Sequence, residues 1–255
     1  MRIPGNGLLL TDKIAVVTGA ARGLGAAMAE GLAAEGAHVI VADVDGPAAQ
    51  AMVEKIRDRG GKASAERVDI GNREAVFACG DRIMAQFGTI DILINNAGIA
   101  PHVMLDDARL MEAWDRVIDV DLNGQFAMTI ALLPGLKKQG SSLIFVASIA
   151  AFRASRSSAA YGAAKAGIRS LVQYFAVELG PLGVRVNGLA PGRMSTDMTL
   201  DSSIGPGEAK FLERVPLGRG GDAREIVGPA VFLASSMSSY VTGATIPIDG
   251  GCLAL

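Results

Sequence analysis

The sequence has little cysteine, histidine or net charge, and each shortage excludes a class of function. Its two cysteines, Cys79 and Cys252, lie far apart without CxxC spacing, which indicates inert thiols and not a disulfide framework. Neither of its two histidines has a metal-ligand companion at useful spacing, so we predict no metal site. A net charge of −2 without a basic block gives no electrostatic footprint for nucleic acid.

Long apolar runs are also lacking. No stretch approaches the length needed to span a bilayer, and no N-terminal segment combines a basic region, an apolar run and a cleavage site. We therefore expect a cytoplasmic protein that binds neither membrane nor nucleic acid. Half of its 255 residues are hydrophobic, enough to bury a core without a disulfide or a metal.

Short β-branched runs alternate along the chain with Ala-rich segments of helical spacing, such as 24–36 and 163–180. The predicted strands are 14–19, 38–43, 65–70, 90–98, 141–148, 184–192 and 243–251. Strands that are apolar throughout, each followed by a helix, indicate a parallel sheet covered on both faces. We predict one α/β domain over residues 12–255, a doubly wound Rossmann fold with seven parallel strands. A flexible lead-in (1–11) would precede it, and a mobile flap would occupy about 193–221.

The stretch "TGAARGLG" (18–25) follows the first predicted strand and opens a helix. Gly19, Gly23 and Gly25 would let the backbone approach a pyrophosphate, which the helix N-terminus would then bind. Asp43 ends the second strand eighteen residues after Gly25, close to the usual position of a ribose-binding acid. An ordinary strand–helix turn is the alternative, and this context favours a dinucleotide site over it.

Asp43 also bears on which dinucleotide binds. A carboxylate accepts hydrogen bonds from ribose hydroxyls and repels a 2′-phosphate, which favours NAD. Arg22 in the glycine loop could pair with such a phosphate. Val44 occupies the position after Asp43, so the second cation usually wanted there is missing. We predict NAD as cofactor, with NADP as the less favoured choice.

A second constellation follows the fifth strand. Ser148 ends that strand at the carboxyl edge of the sheet, where doubly wound folds keep their ligand crevice. Tyr161 and Lys165 lie four residues apart on the next helix and project from one face. A tyrosine hydroxyl titrates near pH 10 in water, so a base at neutral pH needs a nearby cation. Ser148 would hold a substrate oxygen while Tyr161 moves its proton. The alternative is a core tyrosine beside a solvated lysine, which the upstream serine and the glycine loop disfavour.

Taken together, these motifs resemble the short-chain dehydrogenase/reductase family from Lys13 to Gly251. The matching motifs are "TGxxxGxG" at 18–25, "NNAG" at 95–98, the Ser148–Tyr161–Lys165 set, Pro191–Gly192 followed by Thr196, and "DGG" at 249–251. The resemblance implies an oxidoreductase that interconverts a secondary alcohol and a ketone by hydride transfer, with Tyr161 as acid/base. Its similarity to 3-oxoacyl-carrier-protein reductases and polyol dehydrogenases also implies a homotetramer.

The resemblance further implies a cofactor-binding set. Asp69 and Ile70 would border the adenine, Asn96 would lie near the adenosine ribose, and Lys165 would bind the nicotinamide ribose. Thr196 would hold the nicotinamide carboxamide. The full implied set is Gly19, Arg22, Gly23, Leu24, Gly25, Asp43, Asp69, Ile70, Asn96, Ala97, Gly98, Tyr161, Lys165, Pro191, Gly192, Met194 and Thr196.

One position departs from the family pattern. The family usually carries an asparagine seven residues after a tryptophan like Trp114, where it distorts its helix; here that residue is Asp121. Asn123 lies nearby, but the spacing from Trp114 favours Asp121. Aspartate would keep the backbone part of the role and add a negative charge near Lys165. We therefore assign Asp121 to the catalytic set and expect modest damage to the proton relay without loss of activity.

The substrate itself is not encoded by a readable motif. Arg153 and Arg156 lie between Ser148 and Tyr161, Arg193 starts the predicted flap, and His102 follows "NNAGIAP". These residues are candidates for the substrate pocket, where cations would select an anionic alcohol or ketone. Their alternative is solvent exposure or contact with another subunit. Two rival functions stay open: an NADPH-dependent 3-oxoacyl-carrier-protein reductase, and a dinucleotide-binding sensor without turnover.

Overall fold

The computed structural model describes residues 7–154, 158–195 and 212–255. The strands are β1 (Ile14–Thr18), β2 (His38–Asp43), β3 (Lys62–Arg67), β4 (Ile92–Asn95), β5 (Ser142–Val146), β6 (Arg185–Pro191), β7 (Met194–Ser195), β8 (Gly221–Asp222) and β9 (Thr245–Ile248). The α-helices are α1 (Gly23–Ala34), α2 (Gly46–Asp58), α3 (Arg73–Phe87), α4 (Leu110–Ile118), α5 (Gln125–Leu136), α6 (Ala159–Leu179) and α7 (Val227–Ala234). A π-helical turn, Asp119–Gly124, joins α4 to α5.

Seven of the strands form one parallel sheet in the order β3-β2-β1-β4-β5-β6-β9. The predicted doubly wound Rossmann fold is therefore confirmed. Strand order reverses between β1 and β4, and this switch point opens a crevice at the carboxyl ends of the strands. The remaining short strands, β7 and β8, pair with each other.

Alternate residues of the inner strands bury themselves in two different layers. In β1, Val17 packs into a core formed with α1, α2 and α7, whereas Val16 packs into a core formed with α3, α5 and α6. Both valines are fully buried. Because successive strand residues point to opposite faces, one apolar run supplies both cores. Each buried valine contributes roughly 1.5–3 kcal/mol of hydrophobic stabilisation.

The third strand was placed wrongly by the sequence pattern. It runs from Lys62 to Arg67 and not over 65–70, and it pairs with β2 from His38↔Lys62 to Asp43↔Arg67. The strand lies at the edge of the sheet, and among its residues only Ala63 is fully buried. The strand itself contains no apolar run. The prediction was shifted because Val68 and Ile70, the apolar residues that suggested a strand, come after its end.

Leu9 and Leu10, near the end of the predicted lead-in, are packed against the domain, whereas residues 1–6 of that lead-in lie outside the described residues. Leu10 is buried, and its backbone N–H donates to the Glu35 carbonyl at 2.8 Å. The backbone N–H of Leu9 donates to the Glu35 carboxylate at 3.1 Å. The chain is fixed here because Glu35, the residue that caps the end of α1, accepts hydrogen bonds through both its backbone carbonyl and its carboxylate. Much of the predicted flap, residues 196–211, lies outside the described residues.

None of the described helices combines the length and the apolar character that crossing a membrane would require.

Candidate active site

A cavity of about 570 Å³ lies at the carboxyl edge of the sheet. It runs from the ends of β1 and β2, across the switch point, to the ends of β5 and β6. The sequence-predicted residues that line it are Gly19, Arg22, Gly23, Leu24, Asp43, Asp69, Ile70, Asn96, Ala97, Gly98, Asp121, Ser148, Tyr161, Lys165, Pro191, Gly192 and Met194. The residues proposed for the cofactor and for the chemistry are thus gathered in one space.

The glycine loop has a conformation that other residues would not adopt without strain. Gly19 and Gly23 have φ values of +61° and +59°. A Cβ on Gly25 would lie 2.1 Å from the Gly19 carbonyl oxygen, so this glycine packs the helix against the loop. Gly25 is not among the described lining residues of the cavity; its role here is close packing.

The N-terminus of α1 opens towards this cavity. Arg22 occupies the N-cap position without a side-chain hydrogen bond to the helix, and the first turn carries no acidic residue. The first backbone N–H groups of a helix have no partner within it, and the helix dipole favours an anion at that end. The loop and helix therefore fit the pyrophosphate of a dinucleotide.

Asn96 connects the glycine loop to β4. Its amide Nδ2 donates to the carbonyl oxygens of Thr18 at 2.9 Å and Gly19 at 3.1 Å. In return, the Thr18 hydroxyl accepts from the backbone N–H groups of Asn96 and Ala97. These contacts hold the two strand ends together across the switch point, so Asn96 fixes the shape of the loop.

Two carboxylates lie side by side at the end of β2. Asp43 is buried, and its two oxygens accept from the backbone N–H groups of Ala21 at 2.9 Å and Asp45 at 3.1 Å. Asp45, which sequence reasoning did not select, caps α2 through Ala48 and holds the Arg22 guanidinium at 2.5 Å. Its only sequence signal is a second acid in "ADVD".

A second ion pair borders the same end of the cavity. Asp69 accepts from the Gly71 N–H at 2.9 Å, and its other oxygen lies 3.5 Å from the Arg116 guanidinium. Arg116 comes from α4 and also lines the cavity. Sequence reasoning missed it, because no local pattern connects α4 to the end of β3.

The tyrosine and the lysine are positioned by the start of α6. The Ser158 hydroxyl accepts from the Tyr161 N–H and caps the helix, so α6 begins at Ala159 and includes Tyr161, as predicted. Lys165 is buried, its Nζ donates to the Val146 carbonyl at 3.1 Å and it lies 5.4 Å from the centre of the Tyr161 ring. The Ser148 Oγ accepts from the Ala150 N–H at 3.1 Å.

Asp121 completes this group from the π-helical turn. Its side chain is fully buried, with Oδ1 accepting from the Ile99 N–H at 2.7 Å and Oδ2 lying 3.2 Å from Lys165 Nζ. A Cβ on Gly98 would lie 2.6 Å from Oδ2, so that glycine makes room for the carboxylate. The helix distortion that the family resemblance implies at this position is present.

The contact changes the ionisation of both partners. Burial is the largest single influence and by itself would lower the pKa of Lys165, but the Asp121 carboxylate and Tyr161 together outweigh it, so the pKa of Lys165 is raised. Burial raises the pKa of Asp121, opposed by Lys165 and the Ile99 N–H. Lys165 is therefore held as an ammonium group beside the Tyr161 ring.

The candidate substrate residues do not gather in the same way. The Arg153 guanidinium donates to the Cys252 carbonyl at 3.2 Å and to its Sγ at 3.3 Å, so it is directed to the C-terminal turn. His102 is exposed, and the backbone carbonyl of Arg193 accepts from the Gly221 N–H. None of these three is among the described residues lining the cavity. Arg156 and Thr196 lie outside the described residues.

Comparisons with known proteins agree with this geometry. A family model described as enoyl-(acyl carrier protein) reductase matches residues 19–252. The chain is 39% identical to a trans-4-hydroxycyclohexanecarboxylate dehydrogenase from Sinomonas cyclohexanicum over 95% of this chain and 93% of that protein. It is 37% identical to the 3-oxoacyl-[acyl-carrier-protein] reductase FabG of Chlamydia muridarum over 95% of this chain and 98% of that protein. A short chain dehydrogenase from Burkholderia cenocepacia J2315, solved in complex with NADP, has a TM-score of 0.89 at 32% identity and covers 96% of this chain and 99% of its own.

Proposed function

This chain belongs to the short-chain dehydrogenase/reductase family, and we propose that it uses NAD to interconvert a secondary alcohol and a ketone. It is an NAD(P)-dependent oxidoreductase. The observation that carries the finer proposal is the convergence of Ser148, Tyr161 and Lys165 on the cavity that the glycine loop also lines. A binding protein without chemistry would not need a buried ammonium group beside a tyrosine.

In the oxidation direction, Tyr161 takes the hydroxyl proton of the substrate as the carbonyl forms. A bound nicotinamide would supply the redox chemistry, as acceptor of the hydride that leaves the carbinol carbon. Lys165 stabilises the phenolate because its Nζ lies 5.4 Å from the centre of the Tyr161 ring. Ser148 holds the substrate oxygen. Since its Oγ already accepts from the Ala150 N–H, the hydroxyl hydrogen is available to donate.

The choice of NAD follows from Asp43. Its carboxylate is buried at the end of β2 and oriented by two backbone N–H groups. Such a carboxylate accepts hydrogen bonds from a ribose diol and repels a 2′-phosphate. The Burkholderia relative was solved with NADP, and Arg22 lines this cavity too, so NADP is the alternative that cofactor titration must exclude.

A second candidate is an NADPH-dependent 3-oxoacyl-carrier-protein reductase. The observation that favours it is the 37% identity to the Chlamydia muridarum FabG over nearly the whole of both chains. The choice of cofactor distinguishes the two candidates, because Asp43 would repel the 2′-phosphate of NADPH. A kcat/KM for a 3-oxoacyl thioester with NADPH above that for any secondary alcohol with NAD would favour this candidate.

The family resemblance extends the proposal to a homotetramer. The exposed apolar or aromatic side chains on α5 and α6 support an interface there, since Phe126, Tyr174 and Val177 are 44%, 68% and 77% exposed. Light scattering of the purified protein measures the assembly directly.

The proposed function is tested by NADH formation from NAD across paired neutral and anionic secondary alcohols. We expect turnover of at least one alcohol by the wild type. Tyr161→Phe should lower kcat by about 10²- to 10⁴-fold, a loss far larger than its effect on NAD affinity, because the acid/base is removed while the other cofactor-binding residues stay in place. Tyr240→Phe is the matched control, since Tyr240 is fully exposed and does not line the cavity, and it should leave kcat unchanged. NAD binding without turnover by the wild type would instead support a dinucleotide sensor.

A further inference from the structure

We infer that Asp45 is a positioning residue for cofactor selectivity, which acts by holding Arg22 in an ion pair and so withholding it from the 2′-phosphate of NADP. The inference rests on the proposed dinucleotide site and names a second determinant of its selectivity. Asp43 repels the phosphate directly, whereas Asp45 removes a cation that would attract it.

The geometry at the end of β2 separates these two roles. Both Asp43 oxygens accept backbone N–H groups, from Ala21 and from Asp45 itself. Asp43 is therefore fixed by the main chain and makes no ion pair with Arg22. The two oxygens of Asp45 have different partners. Oδ1 accepts from the Ala48 N–H and caps α2, whereas Oδ2 accepts from Arg22 Nη2 at 2.5 Å. One oxygen is structural and the other is free to act on the cation.

Arg22 is the residue of this cavity best placed to bind a phosphate if it were released. It occupies the N-cap of α1, within the glycine loop that fits the pyrophosphate. Guanidinium groups bind phosphate oxygens through two parallel hydrogen bonds, so an unpaired arginine beside the ribose would favour NADP. In this structure its partner is a carboxylate of the same cavity wall.

The ion pair is weak enough for a phosphate to compete with it. The side chains of Arg22 and Asp45 are 61% and 40% exposed, and exposed pairs contribute little to stability. When NADP binds, either the Arg22–Asp45 ion pair breaks or the 2′-phosphate stays without a cation beside it. Both alternatives lower the affinity of the protein for NADP. Once the Asp45 charge is removed, neither cost applies, and only the repulsion from Asp43 is left.

The experiment is a calorimetric titration of the full-length protein with NAD and with NADP at low ionic strength. The substitution is Asp45→Asn, since asparagine is as good an N-cap as aspartate and keeps the acceptor for Ala48. We expect Asp45→Asn to lower the Kd for NADP by about three- to tenfold, with the Kd for NAD within about twofold of wild type. The gain should disappear at high salt, which screens exposed charges.

Arg22→Ala completes a double-mutant cycle. In the wild-type background it should change the Kd for NADP little, because Arg22 is already paired. In the Asp45→Asn background it should abolish the gain in NADP affinity. Asp222→Asn is the matched control, since Asp222 also caps a helical segment, the 3₁₀ turn Ala223–Ile226, and pairs with an arginine, Arg224, that does not line this cavity. It should leave both dissociation constants unchanged.

Two results would overturn the inference while leaving the proposed function intact. In one, NAD binds and Asp45→Asn does not change the Kd for NADP. In the other, the gain persists when Arg22 is also replaced, which would assign it to general repulsion by Asp45. Failure of the wild type to bind either dinucleotide would overturn the proposed function, and the inference with it.

Discussion

Replacing Asp121 with asparagine should move the acid limb of the kcat–pH profile to lower pH. The substitution removes one buried charge with little change in volume. An asparagine oxygen can still accept from the Ile99 N–H, as Oδ1 of Asp121 does at 2.7 Å. The contact that is lost is the ion pair with Lys165 Nζ, at 3.2 Å. The perturbation is thus electrostatic and confined to the lysine that faces the proposed acid/base.

The size of the effect follows from the charges around Lys165. Lys165 Nζ lies 5.4 Å from the centre of the Tyr161 ring, and two unit charges at that separation interact by about 3 kcal/mol at an effective dielectric constant of about 20. That corresponds to about 2 pH units. A carboxylate in contact with Lys165 offsets part of this stabilisation. If it offsets about half, Asp121→Asn lowers the acid midpoint by about 1 pH unit and raises kcat below the midpoint by about tenfold.

The same substitution should also move the alkaline limb of the kcat–pH profile, through the ionisation of Lys165. Asp121 raises the pKa of Lys165 against the effect of burial, so the pKa should fall when the carboxylate is removed. The ammonium is then lost at a lower pH than in the wild type. The active range of the variant should therefore shift as a whole towards acid, with its alkaline limb moving in the same direction.

The assay is kcat for alcohol oxidation at saturating NAD and substrate, from about pH 6 to about pH 10, which reports the ionisations of the bound complex. Asp119→Asn is the control, because Asp119 is an exposed carboxylate of the same π-helical turn whose contact is with Asn123. It should leave both limbs in place. A large loss of kcat in Asp121→Asn at every pH, or an unshifted profile, would refute the reasoning.

Two further substitutions test the fold around the site. Asp91→Asn should lower the free energy of unfolding at pH 7 by about 1–3 kcal/mol, because asparagine keeps an acceptor for the Ile14 N–H but loses the ion pairs of the carboxylate with Lys13 and Lys138. Although burial opposes them, these contacts lower the pKa of Asp91, so their stabilisation is present above the unfolded pKa of about 3.9 and is lost as pH falls through the folded pKa. Urea unfolding should show the two proteins converging in acid, and a difference independent of pH would contradict this. Gly25→Ala should lower Tm and weaken NAD binding by at least about tenfold, because the added Cβ would lie 2.1 Å from the Gly19 carbonyl oxygen. Calorimetry measures the Tm, and titration with NAD measures the affinity. Wild-type values in both would contradict the close packing of helix and loop at this glycine.

The alternation of strands and helices was predictable because buried parallel strands are apolar on both faces. That signal failed at β3, which carries "KASAER" at the edge of the sheet. It also overestimated the length of β4, which ends at Asn95 although the prediction ran to residue 98. The residues beyond that strand end belong to the loop that lines the cavity. The errors therefore fall where the strand is exposed or where the chain leaves the sheet to form the site.

The motif residues of the site were predictable, but their ion-pair partners were not. Asp69 lies in the loop after β3 and Arg116 lies in α4, and only the folded chain brings their side chains to 3.5 Å from each other. Similarly, Arg153 lies in the loop expected to face the substrate, yet its guanidinium contacts Cys252 near the other end of the chain. A sequence pattern records which residue types occur at a spacing, whereas the direction of a long cationic side chain depends on acceptors from distant segments.

The charges of the cavity follow one arrangement over the part of the wall that the structure describes. Each cation there faces a carboxylate of the same wall, and the pairs are Arg22–Asp45, Arg116–Asp69 and Lys165–Asp121. Asp43 is left over and is held by backbone N–H groups. An anionic cofactor is therefore attracted mainly by the N–H groups and dipole of α1, and not by a surplus of side-chain cations. Because each cation is neutralised locally, a single acid-to-amide substitution releases one positive charge at a defined place: beside the ribose for Asp45, and beside the reacting atoms for Asp121.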